Sequence, residues 1–212
     1  MTRHAASERQ LLCDELERLG PDAPTMCEGW ATRDLAAHLH LREARPDLAL
    51  GVLLPPLRGR LERERRSLVG EDYRKLMGRL RGGPPVWSLG RLPAVDERLN
   101  LTEYFVHLED VRRAQPGWEP RRLGVELQST LWRGLRRSAR LMFRRAPTGV
   151  VLIADGHGRY AAKSPGERGT VIVRGEPAEL VLFAFGRTTV AQVDLQGDPD
   201  DVAALREARL GV

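Results

Sequence analysis

Glu103 and His107 stand four residues apart in Asn100-Leu-Thr-Glu-Tyr-Phe-Val-His-Leu-Glu-Asp110, a run that reads as helix. Side chains at i and i+4 lie one above the other on a helix face. A carboxylate and an imidazole stacked this way can fill two positions around a divalent metal, and a third ligand must then come from another element. Asn100 and Asp110 share the stripe, at i−3 from Glu103 and i+3 from His107. There they either orient ligands from behind or simply face water. Leu101, Phe105, Leu108 and Val111 form the adjoining apolar face, so periodicity alone describes a solvent-facing polar stripe equally well.

The helices that must position these groups follow from spacing and punctuation. Residues 3–19 carry Ala5, Leu11, Leu12, Leu16 and Leu19 at helical spacing, with Gly20-Pro21 as a stop. A loop of residues 21–31 follows. Thr32 reads as an N-cap with Asp34 in the first turn, opening a helix to about Arg45 that Pro46 ends or kinks. His38 lies in its middle, flanked by Leu35 and Leu41 at i−3 and i+3. That place suits a core histidine bonded to a neighbour and suits a ligand as well; His40 points to another face. Residues 51–59 read as an apolar loop, and 60–81 as one charged helix with Leu61, Leu68, Leu76 and Leu80 inward. Val86 to Pro93 is a long connection of the kind that walls a site. The helix of Glu103 and His107 runs from about Asp96 to Ala114, and Pro116-Gly-Trp-Glu-Pro120 breaks the chain. Residues 124–145 form the next helix, with Leu127, Leu131, Leu135 and Leu141 on one face. The first ~146 residues are thus consistent with a helix bundle.

After Ala146-Pro147 the period changes to that of strands. Thr148–Asp155, a hairpin turn at Asp155-Gly-His-Gly158, Tyr160–Lys163 and Thr170–Arg174 read as three strands. A helix from Pro177 to Phe185, a fourth strand at Val190–Leu195 and a last helix at Asp198–Leu210 complete a β-β-β-α-β-α tail. The fold class is α+β, with domains at 1–146 and 147–212.

Composition narrows the function classes. Net charge is +5 and the pI about 9.8, which raises nucleic acid as a partner. Against it, the arginines interleave with acids, as in Leu61-Glu-Arg-Glu-Arg-Arg66, and only 5% of residues are aromatic. Lys75 and Lys163 are the only lysines, a bias of the kind GC-rich genomes impose. The first residues are polar and no apolar run approaches the ~20 residues of a membrane span, so a cytoplasmic protein with reduced thiols is expected. Cys13 and Cys27 form no CxxC pair and read as small buried hydrophobes rather than ligands. His4 and His157 read as surface residues.

Three segments together resemble a known family: Cys27-Glu-Gly-Trp-Ala-Thr-Arg-Asp-Leu-Ala-Ala-His38, Glu103-Tyr-Phe-Val-His-Leu-Glu-Asp-Val-Arg-Arg113, and Val173 to Arg187. The chain is similar to the mycothiol-dependent maleylpyruvate isomerase group of actinobacteria, within the wider DinB-like metal-binding bundles, and to an uncharacterised metal-binding subfamily there. The resemblance implies a DinB-like four-helix bundle followed by a small sterol-carrier-like α/β domain. It implies a divalent metal, zinc first, held by His38, Glu103 and His107, with mycothiol as the thiol cofactor. Two imidazoles and a carboxylate leave a coordination position open for a thiolate, the nucleophilic form of a thiol. The family isomerase implies a C-terminal arginine acting on substrate, for which Arg174, Arg187 and Arg159 are candidates, with Asp110 a further catalytic candidate. The expected function is a metal-dependent thiol transferase or isomerase acting on a small electrophile, as monomer or homodimer, with no nucleic acid and no membrane. The alternative is a non-catalytic metal or small-ligand binding module.

Overall fold

The protein is described from a computed structural model covering residues 4–45, 55–85, 88 and 91–211. The expected break at Pro46 and the apolar stretches at 51–54, 86–87 and 89–90 lie outside the described residues. The chain forms two compact units, Met1–Pro120 and Arg121–Val212. Among the described residues no helix is long and apolar enough to cross a membrane.

The first unit is helical: α1 (His4–Leu19), α2 (Thr32–Ala44), α3 (Pro55–Val69), α4 (Tyr73–Gly82), α5 (Pro93–Leu99) and α6 (Leu101–Arg113). Helix α1 packs along α6, α4 packs on both α1 and α2, and α3 packs on α2. Leu12 and Leu16 of α1, Leu35 and Leu39 of α2, Leu76 and Leu80 of α4, and Tyr104 and Phe105 of α6 are fully buried. Leu11, expected on the inner face of α1, is 48% exposed. The α1 stripe runs through Ala5, Leu12, Cys13 and Leu16, and Leu11 falls outside it.

Two expected helices are each divided. The charged helix begins earlier, at Pro55, and stops at Val69. A new helix then starts at Tyr73 because the Asp72 side chain accepts from the Lys75 backbone N–H at 3.0 Å, an N-cap inside a run that periodicity joins. The helix of Glu103 and His107 is kinked at Asn100, which separates α5 from α6. The Asn100 amide donates to Asp96 Oδ1 at 2.7 Å, and its oxygen accepts from Arg42 Nη1 at 2.6 Å. A short polar side chain with such partners loosens a helix locally.

The second unit begins with α7 (Val125–Met142) and continues with β1 (Gly149–Ala154), β2 (Gly158–Lys163), β3 (Thr170–Gly175), α8 (Pro177–Ala184), β4 (Asp194–Gln196) and α9 (Pro199–Glu207). The sheet order is β2-β1-β3-β4, with β1 and β3 parallel and the outer pairs antiparallel. The mixed helix-and-sheet class and the β-β-β-α-β-α order agree with the spacing. Strand β4 is shorter than the expected Val190–Leu195. The backbone N–H groups of Val190 and Ala191 both bond to the Arg187 carbonyl, so the chain there is a turn. Helix α7 packs on α8 and lies within the second compact unit. Leu141, expected on its inner face, is 46% exposed; Ala139 and Met142 take the inner places.

A polar cluster is buried in the first unit. The Tyr104 hydroxyl donates to Glu43 Oε1, and Glu43 Oε2 is buried with no hydrogen-bond partner among the described residues. Arg9 lies over the Tyr104 ring at 5.6 Å and 3.5 Å from Asp96 Oδ2. Burial pushes the Glu43 carboxyl up to about 7, outweighing the Tyr104 hydrogen bond and the Arg9 charge. The folded state therefore holds this proton more tightly than the unfolded chain does. The stability it contributes is full below the ordinary carboxylate pKa of 4.5 and is lost as pH rises through about 7. Glu43→Gln should remove this dependence: chemical denaturation should show wild type losing roughly 2–3 kcal/mol between pH 4.5 and 8 from this group, and the variant lacking that component.

Candidate metal centre

The loop between α1 and α2 is fixed by its own backbone bonds. Thr32 N–H donates to the Ala23 carbonyl at 3.0 Å, and Trp30 N–H to the Cys27 carbonyl at 3.0 Å. Thr25 Oγ1 donates to the Trp30 carbonyl at 2.8 Å and accepts from Cys27 N–H at 3.1 Å. The Met26 N–H donates to the Asp110 carbonyl at 3.0 Å, which pins the loop to α6. Ala31 N–H donates to Asp34 Oδ2 at 3.1 Å at the start of α2. The N-cap is thus Ala31 rather than the expected Thr32, which is the first helical residue, and the acid in the first turn closes the helix start by reaching back to the Ala31 N–H.

These elements bring His38, Glu103 and His107 together. One donor atom from each lies within 4.8 Å of the others. The His38 and His107 ring centroids are 5.5 Å apart and nearly edge to face, and His107 Nε2 is 3.7 Å from Glu103 Oε2. The stripe on α6 does not face water. His107 and Asn100 are buried, Asp110 is fully buried, and Glu103 is half-buried. Asp110 Oδ2 sits 2.9 Å from His107 Nδ1. A carboxylate there accepts from Nδ1–H and turns Nε2 toward Glu103 and His38, the arrangement that commonly supports a metal-binding imidazole.

Surrounding groups shape the field. Arg42 Nε is 3.5 Å from Glu103 Oε2, while Arg42 Nη2 donates to the Leu99 carbonyl at 3.0 Å. Trp30 lies 5.1 Å from the His38 ring, and the Arg65 guanidinium covers the Trp30 ring at 5.1 Å. Burial pushes the His38 imidazole down to about 3, and the nearby His107, Arg42 and Arg65 add to this. For His107 burial acts downward too, but the hydrogen bonds with Asp110 and Cys27 outweigh it and hold the ring up to about 9. One ring is neutral with its lone pairs available, and the other sits where positive charge is favoured. Two imidazoles and one carboxylate converging in such a field could hold a metal ion.

Sequence spacing missed two participants. Cys27, read as a small buried hydrophobe, is half-buried with Sγ 3.3 Å from Asp110 Oδ2 and 3.9 Å from His107 Nδ1. Arg42 was one cation among many. Neither carries a periodic signal, since Cys27 reaches the site through loop geometry and Arg42 through the kink at Asn100. Cys13 is fully buried, as read. The candidate arginines belong to the second unit. Arg174 Nε bonds Asp155 Oδ1 at 2.8 Å, Arg187 bonds the Phe185 carbonyl, and Arg159 is exposed on β2 opposite Ile153.

Two crystal structures share this fold: a mycothiol-dependent maleylpyruvate isomerase and its histidine-to-alanine variant. The variant superposes with a TM-score of 0.60 and the other with 0.53, each at 17% identity over 91% of this chain and 90% of that chain. No family model and no curated protein matches the sequence. At that identity the likeness establishes the fold.

Asp110→Asn keeps the side-chain volume but removes the carboxylate behind His107. Titration with a competing zinc chelator should show affinity weakened roughly 10- to 100-fold, with the helical circular dichroism retained.

Proposed function

We propose that the protein is a divalent-metal-dependent thiol transferase or isomerase, with mycothiol as the thiol and a small electrophile as substrate. The observation that carries this is the convergence of His38 from α2 with Glu103 and His107 from α6. The shared fold with a mycothiol-dependent isomerase supports the choice of thiol. The resident metal is proposed to be zinc, held by those three side chains. When bound, it supplies a Lewis acid that favours the thiolate over the thiol.

The chain's own groups have separable roles. Asp110 fixes the His107 tautomer, so that Nε2 is the donor nitrogen. Arg42 bridges Glu103 to the α5–α6 kink and holds the carboxylate against His107. Trp30 packs on His38 and limits its ring rotation and its contact with water. Glu103 brings one negative charge to the donor set, which lowers the net charge felt by an incoming thiolate without cancelling it. A DinB-like bundle at 1–146, a sterol-carrier-like domain at 147–212 and a role for Arg174 or Arg187 in substrate binding belong to this same reading. So do a cytoplasmic location and a monomer or homodimer that binds no nucleic acid.

Elemental analysis of the purified chain should find close to one equivalent of zinc, lost in His38→Ala and in His107→Ala. A panel of electrophiles should show turnover that requires mycothiol and disappears in the same variants. A chain that neither carries nor takes up metal overturns the reading. Stoichiometric metal without thiol-dependent turnover would leave the binding-module alternative.

A further inference from the structure

His107 offers its two ring nitrogens to two different donor sets. Nε2 faces Glu103 and His38, while Nδ1 faces Asp110 and Cys27. We propose that Cys27, Asp110 and the Nδ1 edge of His107 form a second cation site, one that takes soft, thiophilic divalent ions. This goes beyond the proposed catalytic reading and holds whether or not the protein turns over a substrate.

The three donor atoms lie within 4.8 Å of one another. Sγ to Oδ2 is 3.3 Å, Sγ to Nδ1 is 3.9 Å and Nδ1 to Oδ2 is 2.9 Å. A tetrahedral ion at ~2.3 Å from sulfur and ~2.0–2.2 Å from nitrogen and oxygen sets its ligands about 3.3–3.6 Å apart. The imidazole–carboxylate pair has to open, and the sulfur–imidazole pair to close, each by less than about half an ångström. The loop that carries Cys27 is held for this by the Met26–Asp110 backbone bond and by Thr25, so the sulfur needs no refolding to reach the ion. Asp110 is fully buried and cannot turn away to water, while half-buried Cys27 provides a way in. Thiolate is the only soft donor at either site, so the Cys27 side prefers thiophilic ions and the His38 side does not.

The proton balance makes the two sites alternatives. Coordination by Cys27 and by His107 Nδ1 releases the thiol proton and the ring's Nδ1 proton to solvent, and leaves the ring's other proton on Nε2. The nitrogen offered to His38 and Glu103 then carries hydrogen and cannot bind metal. A soft ion at Cys27 thereby withdraws His107 from the first donor set.

The test is a cadmium chloride titration of the full-length chain after chelation. An ultraviolet cadmium–thiolate charge-transfer band should grow to one equivalent, persist in His38→Ala and in Cys13→Ala, and vanish in Cys27→Ala. In unmodified protein, cadmium should also protect Cys27 from alkylation, read by peptide mass spectrometry, which covers the case that Cys27→Ala folds poorly. No band in wild type, a band lost with His38 or Cys13, or Cys27 alkylated at the same rate with cadmium present would overturn the proposal. Because His38→Ala removes the first donor set, failure of the catalytic reading and failure of this one give different results.

Discussion

Helix α6 cannot turn its polar stripe to water, and the surrounding structure answers that constraint. Packed along α1 and flanked by the α1–α2 loop, it buries Asn100, His107, Glu109, Asp110 and Arg113. An ionised group moved from water into such an interior costs several kcal/mol unless a partner meets it. Each of these groups has one. Glu109 accepts from Arg113 Nε at 2.7 Å and from Arg112 at 3.0 Å, and Arg113 also stacks over Trp118 at 4.7 Å. Asn100 lies between Asp96 and Arg42, and Asp110 between His107 and Cys27. Rotating α6 by one residue would break several charged pairs together. The polar groups therefore fix the register of the helix as firmly as Leu101, Phe105, Leu108 and Val111 do.

The same constraint explains why the donors are aimed before any ligand arrives. His107 is held at Nδ1 by a carboxylate that is itself buried, so its ring has one low-energy orientation. Glu103 is held from the other side by Arg42, whose guanidinium also grips the α5–α6 kink. Trp30 packs tilted against His38, and the Arg65 guanidinium lies over the Trp30 ring. A side chain already held spends no rotamer entropy when it binds, and for long polar chains that entropy reaches ~1.5–2 kcal/mol each.

Much of this was legible in the sequence because helix punctuation and i, i+4 spacing are local signals. Gly20-Pro21, Thr32-Arg-Asp34 and the Glu103–His107 pair located α1, α2 and the donor face of α6. The β-β-β-α-β-α order of the tail followed from its change of period. What periodicity could not supply was the environment of each face. The α6 stripe satisfies the pattern of a solvent face and is buried, since a polar stripe looks the same whether water or other charges meet it. The breaks at Asp72 and Asn100 depend on side-chain hydrogen bonds that a hydrophobic pattern does not encode. Strand β4 was read too long because Val190 and Val193 have strand propensity, while Val190 and Ala191 give their N–H groups to a turn. Cys27 was invisible for a different reason: its neighbours in space are ~80 residues away in the chain, and no spacing rule reaches that far.

The charge balance at the centre bears on what can bind there. Glu103 and Asp110 bring two negative charges, Arg42 brings one positive, and His38, pushed down to about 3, brings none. A proton on His107, whose ring is held up to about 9, makes the group neutral. On the proposed reading His38, Glu103 and His107 would hold a divalent cation in place of that proton, and the group would then carry one net positive charge. One thiolate restores neutrality; a second anion or a dianionic thiol would overshoot it, at a cost that grows as water is excluded. A neutral thiol gains only by giving up its proton. The two carboxylates, one buried and one half-buried, thus do more than orient imidazoles: by fixing the charge to be cancelled, they favour a single monoanionic ligand.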